Sequence, residues 1–197
     1  MNKRISVAIM ALALVIVASA QQVASRYEIN RNRVLYNGRV VRAADCRTFI
    51  DMGHGYGKDA ENVFYCGDLL PFVEPRTFRL KRENDSYRPR PEGGYAHDDF
   101  NAYYEGHRIE GATGSTFKDL GYGYAKDAFN VYYCGRRLGG ASSNTFKVLD
   151  WGYAKDAFNA YYEGMRIEGA STSSFKVMDR GYAKDAFNTY YRGRKAE

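Results

Sequence analysis

A 29-residue repeat constrains the fold of this chain more than any other feature. Similar units open on six tyrosines, 29, 39, 29, 29 and 29 residues apart: Tyr27, Tyr56, Tyr95, Tyr124, Tyr153 and Tyr182. The long interval has ten extra residues after Phe78, in a polar insertion over about 81–94. Because one such unit is too small to bury a hydrophobic face alone, the repeat predicts an array of stacked units.

Counting each opening tyrosine as position 0, the repeat accounts for the unusual tyrosine content. Positions 0, 8 and 9 hold 16 of the 18 tyrosines. Position 11 is glycine in all six units. Position 22 is phenylalanine in the five units long enough to reach it: Phe49, Phe78, Phe117, Phe146 and Phe175. The aromatic excess is therefore a property of the repeat.

Each unit has the pattern of a small β-meander. Asp127 at position 3 and Asn130 at position 6 favour a tight turn, since an aspartate side chain can accept a bond from the backbone two residues on. Asn37-Gly38 favours a type I′ hairpin, and the same place ends in glycine in every unit. No segment has a long helical period. We predict an all-β fold of tandem 29-residue meanders in an extended or curved, solenoid-like array.

Side-chain alternation along the second strand separates two tyrosine columns. Position 9 shares its face with small apolar residues at position 7, which predicts that its tyrosines are buried: Tyr104, Tyr133, Tyr162 and Tyr191. Position 8 shares its face with polar residues at position 10 and is expected to form an exposed ladder, our candidate interaction surface: Tyr103, Tyr132, Tyr161 and Tyr190. Phe146 and its equivalents are expected in the core.

Residues 1–20 have the pattern of a secretory signal peptide, leaving residues 21–197 as the repeat domain. Lys3 and Arg4 precede an apolar run, and Ala18-Ser19-Ala20 supplies a small-x-small cleavage pattern. An uncleaved anchor is the alternative, although the run is short for a membrane span. Cleavage would remove two cations and lower the net charge from +6 to +4. We expect export to the periplasm, the cell surface or the medium, with no transmembrane segment after cleavage.

Arginines crowd the start of the mature chain. Five lie between residues 26 and 42, with Glu28 as the only opposing acidic residue: Arg26, Arg31, Arg33, Arg39 and Arg42. Such a patch can attract lipid A, teichoic acid or nucleic acid, but a solvated edge explains it equally simply and is favoured here. Nucleic acid is an unexpected partner for an exported chain.

The three cysteines leave two interpretations open. In an oxidising compartment one disulfide can form, with Cys46 and Cys66 as the nearer pair and Cys134 left over. Free thiols are the other interpretation, and the spacings match no metal-binding pair.

The sequence contains few candidate catalytic residues. His54, His97 and His107 occupy different positions in their units, and the sequence has no nucleophile elbow, P-loop or zinc-protease motif. The recurring Asp and Asn are better explained by turns than by calcium ligation. We predict no catalytic residue, no metal site and no cofactor.

The repeat resembles the DKNYY family of bacterial exported proteins. The Asp–Lys–Asn…Tyr–Tyr signature corresponds to residues 127–133, and the resemblance runs from Tyr27 to Lys195. Unit 1 departs most, with Asn30 and Leu35 in place of Asp and Tyr. The resemblance implies a repeat fold and export, and it carries over no catalytic residue.

The expected function is therefore binding without catalysis. Tyrosines are favoured in protein interfaces, because they bury a rigid body and keep a polar tip. We expect an envelope or surface scaffold that binds a protein partner. The alternative is a glycan or cell-wall binder that stacks sugars on the ladder, and a ladder that merely stabilises the sheet is also possible.

Overall fold

The described part of the chain forms a row of six small antiparallel sheets. The computed structural model describes residues 26–80 and 94–196; the predicted signal peptide and nearly all of the polar insertion lie outside them. The all-β prediction is confirmed, with only the 3₁₀ turns Gly114–Thr116 and Asp179–Gly181 as helical elements in the described part.

The first sheet has three strands and the other five have four. Sheet 1 contains β1 (Tyr27–Asn30), β2 (Arg33–Tyr36) and β3 (Arg39–Val40). Sheet 2 contains β4 (Ile50–Gly53), β5 (Tyr56–Lys58), β6 (Val63–Tyr65) and β7 (Asp68–Leu70). Sheet 3 contains β8 (Arg79–Leu80), β9 (Tyr95–His97), β10 (Ala102–Tyr104) and β11 (His107–Arg108).

The remaining sheets repeat this order. Sheet 4 contains β12 (Lys118–Gly121), β13 (Tyr124–Lys126), β14 (Val131–Tyr133) and β15 (Arg136–Arg137). Sheet 5 contains β16 (Lys147–Val148), β17 (Tyr153–Lys155), β18 (Ala160–Tyr162) and β19 (Met165–Arg166). Sheet 6 contains β20 (Lys176–Val177), β21 (Tyr182–Lys184), β22 (Thr189–Tyr191) and β23 (Arg194–Lys195). In sheets 2–6 the first strand comes from the end of the preceding sequence unit, so each sheet links two units.

The hairpin turn at positions 10 and 11 has the predicted type I′ geometry. Both residues have positive φ, 49° at Asn37 and 78° at Gly38. The later units keep this conformation although their position 10 is not asparagine: φ is 45° at Cys134 and 45° at Glu163. The glycine at position 11 therefore maintains the hairpin while the residue at position 10 varies.

Consecutive sheets pack face to face. One core cluster joins Tyr124, Val131 and Phe146 of unit 4 to Ala154 and Tyr161 of unit 5. Equivalent clusters occur along the array. The face with positions 0 and 7 therefore packs against the face with positions 1 and 8 of the next unit. An interior sheet is buried on both faces.

The prediction for position 22 is confirmed at four of its five members. Phe78, Phe117, Phe146 and Phe175 are all buried, and Phe49 of the first unit is half-buried. Each ring lies between two units, as shown by ring-centroid distances of 5.5 Å from Phe146 to Tyr124 and 5.7 Å from Phe146 to Tyr161.

The predicted exposure of the two tyrosine columns is wrong. The supposed exposed ladder is buried, with relative exposures of 3, 0, 1 and 0 % at Tyr103, Tyr132, Tyr161 and Tyr190. The supposed core column is only half-buried at Tyr104, Tyr133 and Tyr162, and Tyr191 is 42 % exposed.

The reason for the error is the stacking of the units. Alternation correctly places positions 8 and 9 on opposite faces, but both faces are covered by neighbouring units. The position 8 ring packs against Phe at position 22 of the preceding unit. Position 9 lies nearer the rim, where Tyr133 packs on Tyr124 with ring centroids 4.9 Å apart.

The cysteines are unpaired. Cys46, Cys66 and Cys134 are half-buried free thiols, so the structure does not contain the Cys46–Cys66 disulfide. The hydroxyl of Tyr36 lies 3.3 Å from Cys66 Sγ.

Candidate interaction surface

The opening tyrosine of each interior unit joins two units through its hydroxyl. Tyr124 Oη donates to the carbonyl oxygen of Gly152 at 3.2 Å and accepts from the backbone N–H of Gly164 at 2.9 Å. Tyr95 and Tyr153 make the same pair of bonds one unit before and one unit after. These tyrosines therefore fix the separation of consecutive hairpins, and their hydroxyls are occupied by the fold.

The conserved spacing of Asp and Tyr within a unit builds a second buried network. Asp127 Oδ1 accepts the backbone N–H groups of Phe129 at 2.8 Å and Asn130 at 2.7 Å. Asp127 Oδ2 accepts the N–H of Thr113, from the preceding unit, at 3.0 Å and the hydroxyl of Tyr132 at 2.8 Å. The predicted turn chemistry is confirmed, and one carboxylate ties together a turn, a strand and a neighbouring loop.

The protonation states of this network follow from its donors. Burial alone would raise the pKa of Asp127, but the three backbone N–H groups and the Tyr132 hydroxyl outweigh it and hold that pKa below its usual value. Burial, followed by the adjacent carboxylate, raises the pKa of Tyr132 to about 12. At neutral pH the pair is therefore a carboxylate that accepts and a phenol that donates.

The residues predicted as the interaction surface thus belong to the interior. Tyr103, Tyr132, Tyr161 and Tyr190 each direct their hydroxyl to the aspartate five residues earlier, at 2.8–3.3 Å. None of these rings offers a face to a partner.

A different aromatic column is exposed. Position 5 carries phenylalanine in the last four units, and these side chains are 73, 77, 75 and 81 % exposed: Phe100, Phe129, Phe158 and Phe187. We call these four residues the Phe ladder. Isolated exposed apolar residues are ordinary, but the same ring at the same place in four consecutive units forms a regular row.

The turn that carries each ladder residue is held on both sides. Within the unit, Asp127 binds the N–H of Phe129 itself. From the preceding unit, Thr116 Oγ1 accepts the N–H of Ala128 at 3.1 Å. Thr145 and Ser174 hold the next two turns in the same way, at 3.1 and 3.0 Å. The backbone beneath each exposed ring is therefore organised before any partner arrives.

The fold itself does not require phenylalanine at position 5. Unit 2 has Glu61 there, in a turn with the same Asp59 and Thr48 contacts, and unit 1 has Asn32. The sequence does indicate that position 5 is exposed, because a position that holds Asn, Glu and Phe in different units is typical of one that faces solvent. The predicted interaction surface was based on the tyrosine columns and did not include position 5.

A shallow groove lies beside Phe129, between the loops of units 3 and 4. It encloses about 430 Å³ and is lined by small residues, two lysines and one aspartate: Ser115, Thr116, Lys118, Lys126, Asp127, Ala128, Ser143 and Asn144. Lys126 Nζ donates to the carbonyl oxygen of Ser143, another lining residue, at 2.8 Å, so this ammonium group is held at the groove.

The histidines do not converge. His97 Nδ1 lies 3.3 Å from the carbonyl oxygen of Asp98, and His107 Nδ1 lies 3.0 Å from that of Glu105. Within residues 26–80 and 94–196, no three His, Cys, Asp or Glu side chains form a group able to hold a metal ion. The same residues include no helix long and apolar enough to cross a membrane.

Comparison with known proteins identifies one family. No curated protein and no solved structure matches the chain. The model of the DKNYY family matches residues 136–194, a stretch that contains unit 4 from β15 onwards, the whole of unit 5 and most of unit 6. The resemblance to the DKNYY family drawn from the repeat is thereby confirmed.

Proposed function

We propose that this protein is an exported, non-enzymatic binding module of the cell envelope, and that the Phe ladder is its binding surface. The observation that carries the proposal is the row of four phenylalanines, each about three-quarters exposed on a turn held by an aspartate and a Thr or Ser hydroxyl. Covering one such ring with a partner contributes roughly 1.5–3 kcal/mol. Repetition along a stiff array adds avidity, because the second contact becomes intramolecular.

The absence of a convergent polar cluster in the described residues agrees with a binding role. The repeated carboxylates accept hydrogen bonds from N–H and O–H donors, the phenols at position 0 bind backbone groups, and the phenols at position 8 bind those carboxylates. The groups that the repeat multiplies are therefore used to hold the array, and its exposed rings are left for recognition.

Co-sedimentation with isolated cell envelopes tests the proposal. We expect the mature chain to sediment with envelopes, and the double variant F129S/F158S to lose at least about tenfold in retention. The matched control is Phe72→Gly, which removes a 94 % exposed ring from a place where units 3–5 have glycine. Equal retention of wild type and double variant would contradict the proposal.

The export half of the proposal has its own test. Fractionation of cells that produce the full chain is expected to place the protein outside the cytoplasm, with Gln21 as its N-terminal residue. A cytoplasmic, uncleaved product would refute it.

A further inference from the structure

We infer that the Phe ladder and an adjoining row of cations bind an anionic polysaccharide, with one sugar stacked per unit. This inference rests on the proposed function and names the partner class of the same surface.

An exposed cation accompanies every ladder residue. It occupies the first strand of each sheet that carries a ladder turn: Arg79, Lys118, Lys147 and Lys176. We call these four residues the cation row. In sheet 4, Lys118 pairs across the strands with Lys126, which directly precedes the turn of Phe129, so the cation stands at the ladder end of the sheet.

A second cation lies deeper in the same place. Lys126 and Lys155 are half-buried, and their Nζ atoms donate to loop carbonyls, that of Ser143 at 2.8 Å and that of Thr172 at 2.9 Å. The nearest repeated acid, Asp127, is buried and accepts four hydrogen bonds. In units 4–6 the residue before the ladder ring is alanine, whereas unit 3 has Asp99 there. The ladder therefore runs beside positive charge.

The chemistry between successive rings is polar. The groove beside Phe129 is lined by Ser115, Thr116 and Asn144, and it has the size of a pocket for a small ligand or one or two sugars. Isolated rings separated by hydroxyls and amides do not form the continuous apolar groove that an amphipathic helix needs. A sugar presents an apolar C–H face to a ring and hydroxyls to its surroundings, which fits this alternation.

The spacing of the rings favours a polymer. Sheets packed face to face lie about 10 Å apart, so four ladder residues form a row roughly 30 Å long. A linear chain of sugars can meet successive rings, while its carboxylates or phosphates meet the cation row. Once one sugar is bound, the next sugar of the same chain is held close to the next ring, so several weak contacts together give a higher affinity than any one of them.

Titration of the mature protein with labelled polygalacturonate tests the inference. We expect binding that weakens as salt rises from about 50 to 500 mM, because the cations are exposed. The variant F129S/F158S is expected to lose at least about tenfold in affinity. The variant K118Q/K147Q is expected to lose affinity and most of the salt dependence, while F72G and R136Q, which alter an exposed ring and an exposed cation elsewhere, stay within about twofold.

Three further polymers test whether binding depends on charge, on sugar rings or on both. Polyglutamate supplies charge without sugar rings, dextran supplies rings without charge, and oligothymidine is a single-stranded nucleic acid with both. Polygalacturonate bound more tightly than all three supports the inference. Equal binding of polyglutamate or dextran, tighter binding of oligothymidine, or an F129S/F158S affinity equal to wild type would overturn it.

Failure of the inference is distinguishable from failure of the proposed function. If envelopes retain the protein through the Phe ladder but polygalacturonate does not bind, the polysaccharide is wrong and the binding module stands. Loss of envelope retention after protease treatment of the envelopes would then identify a protein receptor.

Discussion

Removing one hydroxyl from an interior opening tyrosine tests the stacking directly. Tyr124→Phe keeps the ring and its contacts with Tyr133 and Phe146, and it deletes only the hydroxyl between Gly152 and Gly164. Two hydrogen bonds disappear, and the carbonyl oxygen of Gly152 and the N–H of Gly164 lose a partner in a closely packed region. At roughly 1 kcal/mol for each bond and more for a group left unsatisfied, the free energy of unfolding should fall by about 2–4 kcal/mol.

The last unit provides the matched control. Tyr182 occupies the same position 0, but it is 42 % exposed, whereas Tyr124 is fully buried. Tyr182→Phe should therefore change the free energy of unfolding by less than about 0.5 kcal/mol. Urea unfolding, followed by circular dichroism and by the fluorescence of Trp151, measures both variants.

The comparison also probes the coupling between units. Because the stability of a repeat array depends on contacts between neighbours, weakening the contact of units 4 and 5 should broaden the transition or divide it in two. Equal losses in the two variants, or a loss below about 0.5 kcal/mol for Tyr124→Phe, would refute the view that this hydroxyl joins the units.

Three other perturbations follow from the geometry. Gly164→Ala should lower the free energy of unfolding by about 3 kcal/mol or more, because the added Cβ would clash with the Tyr133 side chain. Gly38→Ala places its Cβ in open space and should cost only about 1–2 kcal/mol, because of its positive φ, and urea unfolding midpoints compare the two variants. Glu163→Asn should stabilise by roughly 0.5–1 kcal/mol, because φ is 45° there and asparagine suits a type I′ turn, and an unchanged or lower thermal midpoint would contradict this. Burial raises the pKa of Tyr132 to about 12, whereas an unfolded tyrosine titrates near 10, so the contribution of Tyr132 to the free energy of unfolding should be fully present below about pH 10 and fall as the pH rises towards 12. In urea titrations, Y132F should reduce this dependence of the free energy of unfolding on pH.

Local features of the fold were predictable because each depends on one unit alone. Asn37-Gly38 specifies a type I′ hairpin through backbone conformation, and Asp127 specifies a turn through its own carboxylate. The meander and the burial of Phe146 followed from the same local signals.

The faces were not predictable because they depend on contacts between units. Alternation states which side chains share a face, but it does not state which face meets water. Tyr132 is buried because Phe117 of the preceding unit covers it, with ring centroids 5.8 Å apart. A repeat that stacks sheets face to face leaves exposure to turns and rims, which is why an exposed aromatic side chain lies on a turn, at Phe129.

The first two units lack part of this contact. In units 3–6 the second carboxylate oxygen at position 3 holds the preceding unit's loop and the tyrosine at position 8, as Asp127 does with Thr113 and Tyr132. Unit 2 keeps Asp59, which accepts the N–H of Asp45, but has Phe64 at position 8, and unit 1 has Asn30 and Leu35 at the two positions.

The repeated Asp and Tyr residues therefore serve the packing of one unit on the next. Asp occupies position 3 in units 2–6, and Tyr occupies position 0 in all six units and position 8 in units 3–6. In interior units these side chains bind backbone groups of a neighbouring unit or each other. Position 5 has no such structural reason to hold phenylalanine, since Glu61 occupies it within an intact turn. Phenylalanine is nevertheless repeated there in four consecutive units and left exposed, and the proposed binding surface rests on these residues.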